Sequence, residues 1–172
     1  LRQDSSSPSP ALPLPQGTPE MAQIYSVTSG LTAGAAAGSV KVAVALATGA
    51  QVRAKIIQVD VTFDGTNAAA KPVLVEFVKT TAAPSGGSTY TPLLNQPGGR
   101  TAQTTARIND TSDGSSPTIQ QGYKVPATSG LIMQFPLARE IEMAVSEFWE
   151  VRITLQSAEA ANDYLVNVWF EE

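Results

Sequence analysis

Four closely spaced glutamates, Glu140, Glu142, Glu147 and Glu150, are the side chains with the clearest capacity for chemistry in this sequence. Two carboxylates flanking a glycosidic bond can act as acid and base, or as acid and nucleophile. Glu140 and Glu142 would share one face of a strand, about 7 Å apart by strand rise. Nothing in the sequence fixes a cleft around them, and Arg139 and Arg152 stand close enough to pair with them. Solvated strand faces and surface ion pairs are therefore the expectation. A second polar stretch, Asn109-Asp-Thr-Ser-Asp-Gly114, superficially resembles a calcium loop. An EF-hand needs oxygen ligands at fixed spacing and a bidentate glutamate at its last position. Counted from Asn109, Thr111 is the second ligand and Gln120 takes the glutamate's place, so a plain polar turn is expected.

The missing residues constrain chemistry more than those present. The chain has no histidine and no cysteine. That removes the usual general base, Ser-His and Cys-His pairs, thiolate metal sites and disulfides. No catalytic residue, metal or cofactor is expected. The formal charge is −4 and the pI about 4.8, with no run of lysine or arginine. A basic nucleic-acid patch is thereby disfavoured. No apolar stretch approaches the length of a membrane span, and the first residues lack the charged start and apolar middle of a secretory signal. Leu1 is no ordinary initiator, which fits a processed terminus or a translated alternative start codon; Met21 opens a more ordinary-looking protein.

These groups must be positioned by strands, because the body from residue 21 to 172 alternates at period two. Val40, Val42, Val44 and Leu46 alternate with Lys41, Ala43, Ala45 and Ala47, which predicts a strand with one buried face. In Val52–Phe63 the parity switches. Val52, Ala54 and Ile56 share one face, whereas Ile57, Val59, Val61 and Phe63 share the other. A bulge near Ile56-Ile57 would place both apolar sets in the core. Further strands are predicted at Val73–Val78, Leu131–Phe135, from Trp149 to Leu155, and from Tyr164 to Phe170. Thr80–Thr128 reads as a long polar region with one short strand near Ala102–Ile108, and loops this long are often binding surfaces. Gly34–Gly38 reads as a loop, and Ser157–Asn162 as at most one helical turn. Seven or eight strands with turn-rich connections predict an all-β antiparallel β-sandwich of jelly-roll type.

Residues 1–20 differ in kind. They hold five prolines, a serine run and little apolar bulk, too little burial to offset the entropy of ordering. The expected state is a solvated arm with polyproline II character. One reading is a disordered or processing segment. The other is a docking strap, since twenty such residues reach about 60 Å. Its anchors would be Leu12, Pro13, Leu14 and Pro15, and Pro10-Ala-Leu-Pro13 also has PxxP spacing.

Several stretches in order carry a family likeness: Met21-Ala-Gln-Ile-Tyr-Ser-Val27, Val52-Arg-Ala-Lys-Ile-Ile57, Val61-Thr-Phe-Asp-Gly-Thr66 and Pro72-Val-Leu-Val-Glu-Phe77, then Gln134-Phe-Pro-Leu-Ala-Arg-Glu-Ile141 and the closing Val168-Trp-Phe-Glu-Glu172. On these the body resembles a family of small structural proteins of tailed bacteriophages; the arm lies outside the likeness. The family pattern often has glycine where Ala138 stands. The resemblance implies a head decoration (cement) protein on the capsid exterior, bound to the major capsid protein. It further implies a homo-oligomer, a trimer with a dimer as the nearest rival, with no nucleic-acid or membrane partner. A tail or head-fibre carbohydrate- or receptor-binding module is the alternative, and a virion glycosidase is a third, weaker reading. Arg139 is either one half of a bidentate pair with a carboxylate or an exposed turn arginine. Trp149 and Trp169 belong to aromatic pairs whose default is core packing, and a tryptophan exposed at a seam would be a contact hot spot.

Overall fold

The computed structural model describes residues 22–34, 38–65, 71–156 and 163–172. The arm, the centre of the Gly34–Gly38 loop and the Ser157–Asn162 turn lie outside the described residues. So do Leu12, Pro13, Leu14 and Pro15.

Twelve strands and no helix are present among the described residues: β1 (Ile24–Thr28), β2 (Val40–Ala47), β3 (Ala54–Phe63), β4 (Val73–Thr80), β5 (Ser88–Tyr90), β6 (Leu93–Leu94), β7 (Thr105–Asp110), β8 (Thr118–Val125), β9 (Gly130–Gln134), β10 (Ile141–Met143), β11 (Phe148–Thr154) and β12 (Tyr164–Glu171). They form two antiparallel sheets. One has the order β10-β3-β12-β1-β6, with β9 also paired to β3; the other has the order β5-β7-β2-β11-β4-β8. The sheets share one apolar core. Tyr25, Val27, Ile56, Val59, Val61, Tyr164, Val166, Val168 and Phe170 from the first meet Val44, Leu46, Val75, Phe77, Trp149, Val151 and Ile153 from the second. Phe77 is a hub, its ring centroid 5.7 Å from Trp149, 5.7 Å from Tyr123 and 6.3 Å from Phe135. Each fully buried large side chain of this kind contributes roughly 1.5–3 kcal/mol by leaving water. Asn109, with φ 57°, ties the sheets together at one end. Its amide donates to the Ser29 carbonyl at 2.9 Å and its Oδ1 accepts from the Tyr164 hydroxyl at 3.2 Å. Burial raises the Tyr164 pKa to about 12, so the phenol stays a donor at neutral pH.

The parity switch in β3 is a bulge. Trp169 pairs Gln58 and Phe170 pairs Ile56, so Ile57 is the extra residue. Ala54 and Ile56 before it, and Val59, Val61 and Phe63 after it, all enter the core. Ile57 itself does not: it is half-buried on the outer face. β2 also differs from expectation. Val42 through Leu46 are all buried: β2 is central between β7 and β11, and on its outer side Ala45 lies in a small recess it shares with Ala83, Pro84, Arg107 and Phe148. The polar region Thr80–Thr128, expected to hold one short strand near Ala102–Ile108, contains that strand as β7 and also β5, β6 and all of β8. β8 is an edge strand whose side chains are mostly exposed, so it has no apolar alternation to read.

Candidate functional site

The four glutamates do not meet. Glu142 and Glu147 line one charged groove with Arg53, Lys55 and Lys79. There Lys79 Nζ reaches both Glu147 oxygens at 3.0 and 2.9 Å, and the Ala144 N–H donates to Glu147 at 2.7 Å. Partial burial works against the Glu147 charge, but these bonds outweigh it and the pKa is lowered. Glu142 lies opposite Lys55 across the β10–β3 ladder. Glu140 lies in a different groove, beside Pro136 and Leu137. Glu150 sits on the outer face of the other sheet, fully buried. Only Glu142 and Glu147 share a groove, and there Glu147 is held by Lys79 and Glu142 lies opposite Lys55.

Glu150 is the one with an unusual environment. Its Oε1 is 2.9 Å from the Gly114 nitrogen and 3.2 Å from the Thr80 hydroxyl. That hydroxyl has one proton and also lies 3.0 Å from the Ala82 carbonyl, which can only accept. If Thr80 donates to Ala82, the Glu150 contact needs a proton from Glu150 itself. Burial, first of all, and Asp113 raise the Glu150 pKa, in the direction of that neutral form. Arg152, on the same strand, bonds Asp113 at 3.2 Å and lies 3.8 Å from Glu76. Glu150, Thr80, Asp113 and Arg152 thus pin the Asp113-Gly114 turn to the sheet.

The polar stretch Asn109–Gly114 is occupied in the same way. Asp110 is fully buried, bound by Arg107 and by the Gly87 N–H at 2.8 Å. The Asp110 hydrogen bond leads the causes that raise the Arg107 pKa. Among the described residues no group of three or more potential ligands could hold a metal ion.

The exposed surface is more distinctive. On the outer face of the first sheet one row runs Leu93, Ser26, Trp169, Gln58, Gln134 across five strands. At about 4.8 Å per strand it spans roughly 19 Å. Trp169 is half-buried at its centre. Beside it, Ile24 and Ile57 line two adjoining grooves. One is shared with Trp169, Gln58, Asn95 and Gln96; the other with Phe135, Pro136, Leu137, Glu140 and Glu171. Leu137 is 92% exposed, Ile132 72% and Leu93 57%. Single exposed apolar residues are ordinary; what stands out is that Ile24 and Ile57 line both grooves, with Trp169 in one and Leu137 in the other.

The expected contact residues separate on this map. Trp169 lies in the face. Trp149 does not: it has no exposed surface and packs on Phe77, which removes it from any surface contact. Arg139 is exposed in the turn after Pro136 and has no ion pair among the described residues. Within the chain it is therefore an exposed turn arginine; a carboxylate partner across an interface would have to come from a second chain. Ala138 beside it has φ 65°, a left-handed conformation that glycine adopts without strain. Sequence reasoning missed Ile24, Ile57, Leu93 and Leu137 as surface residues. For Ile24 the signal was legible: Tyr25 and Val27 alternate with Ile24, Ser26 and Thr28, so Ile24 falls on the polar parity. Comparison with known proteins finds no matching family model, no matching curated protein and no matching solved structure.

Proposed function

We propose that this chain is a bacteriophage capsid decoration protein that binds the outside of the major capsid lattice and stabilises it. The apolar face around Trp169, Ile24, Ile57 and Leu137, carried on a rigid two-sheet body, is the observation that supports it most. A wide, shallow apolar face suits a broad protein surface better than a small molecule. The sequence resemblance over Met21–Glu172 supplies the class of neighbour, and the arm at residues 1–20 would add a strap to adjoining subunits. Affinity would come from many repeated copies, as a homotrimer, rather than from one tight site. A jelly-roll winding fits this reading. The hydrogen-bonded partners nest as in a rolled hairpin: β2 with β11, β3 with β9 and β10, β4 with β8, β5 with β7. The test is cosedimentation with undecorated capsids. Trp169→Asp should abolish binding while the body stays folded; binding equal to the unaltered chain would remove the face from the account.

A second reading, a glycan-binding module of a fibre, has its own support. Tyr90, Thr89, Thr105 and Arg107 line an open groove of about 500 Å³, a mixture of aromatic, hydroxyl and guanidinium groups that sugars use. Glycan binding lost in Tyr90→Ala, with no capsid binding by the unaltered chain, would favour it.

A further inference from the structure

From the Trp169 groove we infer that it is a binding site for a proline-rich strand, and that its occupant in the free protein is this chain's own segment Ala11–Pro15. The groove holds about 340 Å³ and is lined by Ile24, Ile57, Gln58, Asn95, Gln96 and Trp169. An aromatic flanked by aliphatic walls and side-chain donors is the arrangement that accepts polyproline II strands. Such strands lack N–H groups at each proline but offer a carbonyl at every residue, so they require donors from the receptor. Among the described residues neither the Trp169 indole N–H nor the Asn95 amide nitrogen donates a hydrogen bond; Asn95 engages only its Oδ1 and its backbone N–H. Asn95 is itself held in place: its N–H donates to the Ile24 carbonyl at 2.9 Å and its Oδ1 accepts from Ser26 at 3.0 Å.

The sequence places a matching strand within reach. In Pro10-Ala-Leu-Pro-Leu-Pro15, Leu12 and Pro15 stand three apart and so share one face of a polyproline II strand, as do Ala11 and Leu14, and no residue from Ser5 to Pro19 is charged, so nearby Glu171 and Asp60 do not repel it. The described body begins at Ala22, and Gln23 is fixed by reciprocal backbone bonds to Glu172 at 3.0 and 3.1 Å. Ile24, the next residue, already lines the groove. From Pro15 to Ala22 is seven residue steps, roughly 22 Å at polyproline rise, and Gly17 between them permits a reversal. A tether this short gives an effective concentration in the millimolar range. The own segment therefore outcompetes another copy's at ordinary protein concentrations.

The test uses the full chain without capsid, so its outcome is independent of the decoration reading. Trp149 is wholly buried, so acrylamide-quenchable emission reports Trp169. Leu12→Ser together with Leu14→Ser should raise the quenching constant about twofold and shift one of the two indole N–H resonances. In the unaltered chain, Leu12 or Leu14 methyl protons should show cross-relaxation to the Trp169 ring, unchanged over about a hundredfold dilution. No cross-relaxation, with quenching unaltered in the double variant, would overturn the site. Protection of Trp169 that disappears on dilution would overturn the own-chain assignment, since another copy would then be the occupant.

Discussion

Replacing Glu150 by glutamine should leave the protein as stable at neutral pH as the unaltered chain, or more so. Replacing it by leucine should cost roughly 2–3 kcal/mol. Both substitutions remove the buried carboxylate. Only glutamine keeps an oxygen for the Gly114 N–H at 2.9 Å; that oxygen carries no proton, so the Thr80 hydroxyl at 3.2 Å must turn from the Ala82 carbonyl and donate to it. Leucine strands a buried backbone N–H, which alone costs about 1–3 kcal/mol. The pH dependence separates them further. The Glu150 pKa is raised in the folded protein, so the folded state binds this proton more tightly than the unfolded chain. Its stabilisation is full below the ordinary value of 4.5 and is lost as pH rises through the raised value. Glu147, with a lowered pKa, works the other way and loses its contribution only as pH falls below that range. Urea unfolding between about pH 4.5 and 8 therefore isolates Glu150. Stability of the unaltered chain should decline across this window and that of Glu150→Gln should stay flatter. A glutamine variant as damaged as the leucine one, or one with the same slope as the unaltered chain, would refute the neutral-carboxyl account.

Other consequences concern the backbone and the two tryptophans. Ala138→Gly should stabilise by about 1 kcal/mol, since a left-handed φ of 65° strains any L side chain; an unchanged urea midpoint would count against it. Gly87→Ala should cost about 2 kcal/mol or more, because its Cβ would meet the Ile108 carbonyl and lie 2.7 Å from the Asp110 nitrogen. Its thermal midpoint relative to the unaltered chain is the check. Trp149→Ala should cost about 3–5 kcal/mol as a core truncation. Trp169→Ala should cost far less stability yet weaken capsid binding about thirtyfold or more, the size of a contact hot spot.

How far the sequence carried depended on whether a strand had one wet face. β3, β11 and β12 alternate cleanly, and even the Ile57 bulge was readable as a parity switch. β8 was not, because an edge strand written Thr-Ile-Gln-Gln-Gly-Tyr-Lys-Val has no dry face to betray it. β2 misled in the opposite direction: Ala43 and Ala45 are buried along with the valines, and the recess that Ala45 shares with Ala83 and Pro84 is a tertiary feature with no local signature. The fate of the glutamates was equally nonlocal. Spacing alone places Glu140 and Glu142 as partners, yet the turn at Ala138 and the pairing of Ile141 with Ile56 send them to separate grooves. Trp149 and Trp169 are indistinguishable by composition, each beside a phenylalanine. Only their parity against Val151 and Val168 sorts core from surface.

The central claim, decoration of a capsid shell, is tested most directly by locating the chain in imaged virions and counting its copies. Decoration requires hundreds of symmetry-related copies over the outer shell, with the Trp169 face against the major capsid protein. Copies restricted to the tail or a single vertex, or a Trp169 face turned to solvent, would contradict it.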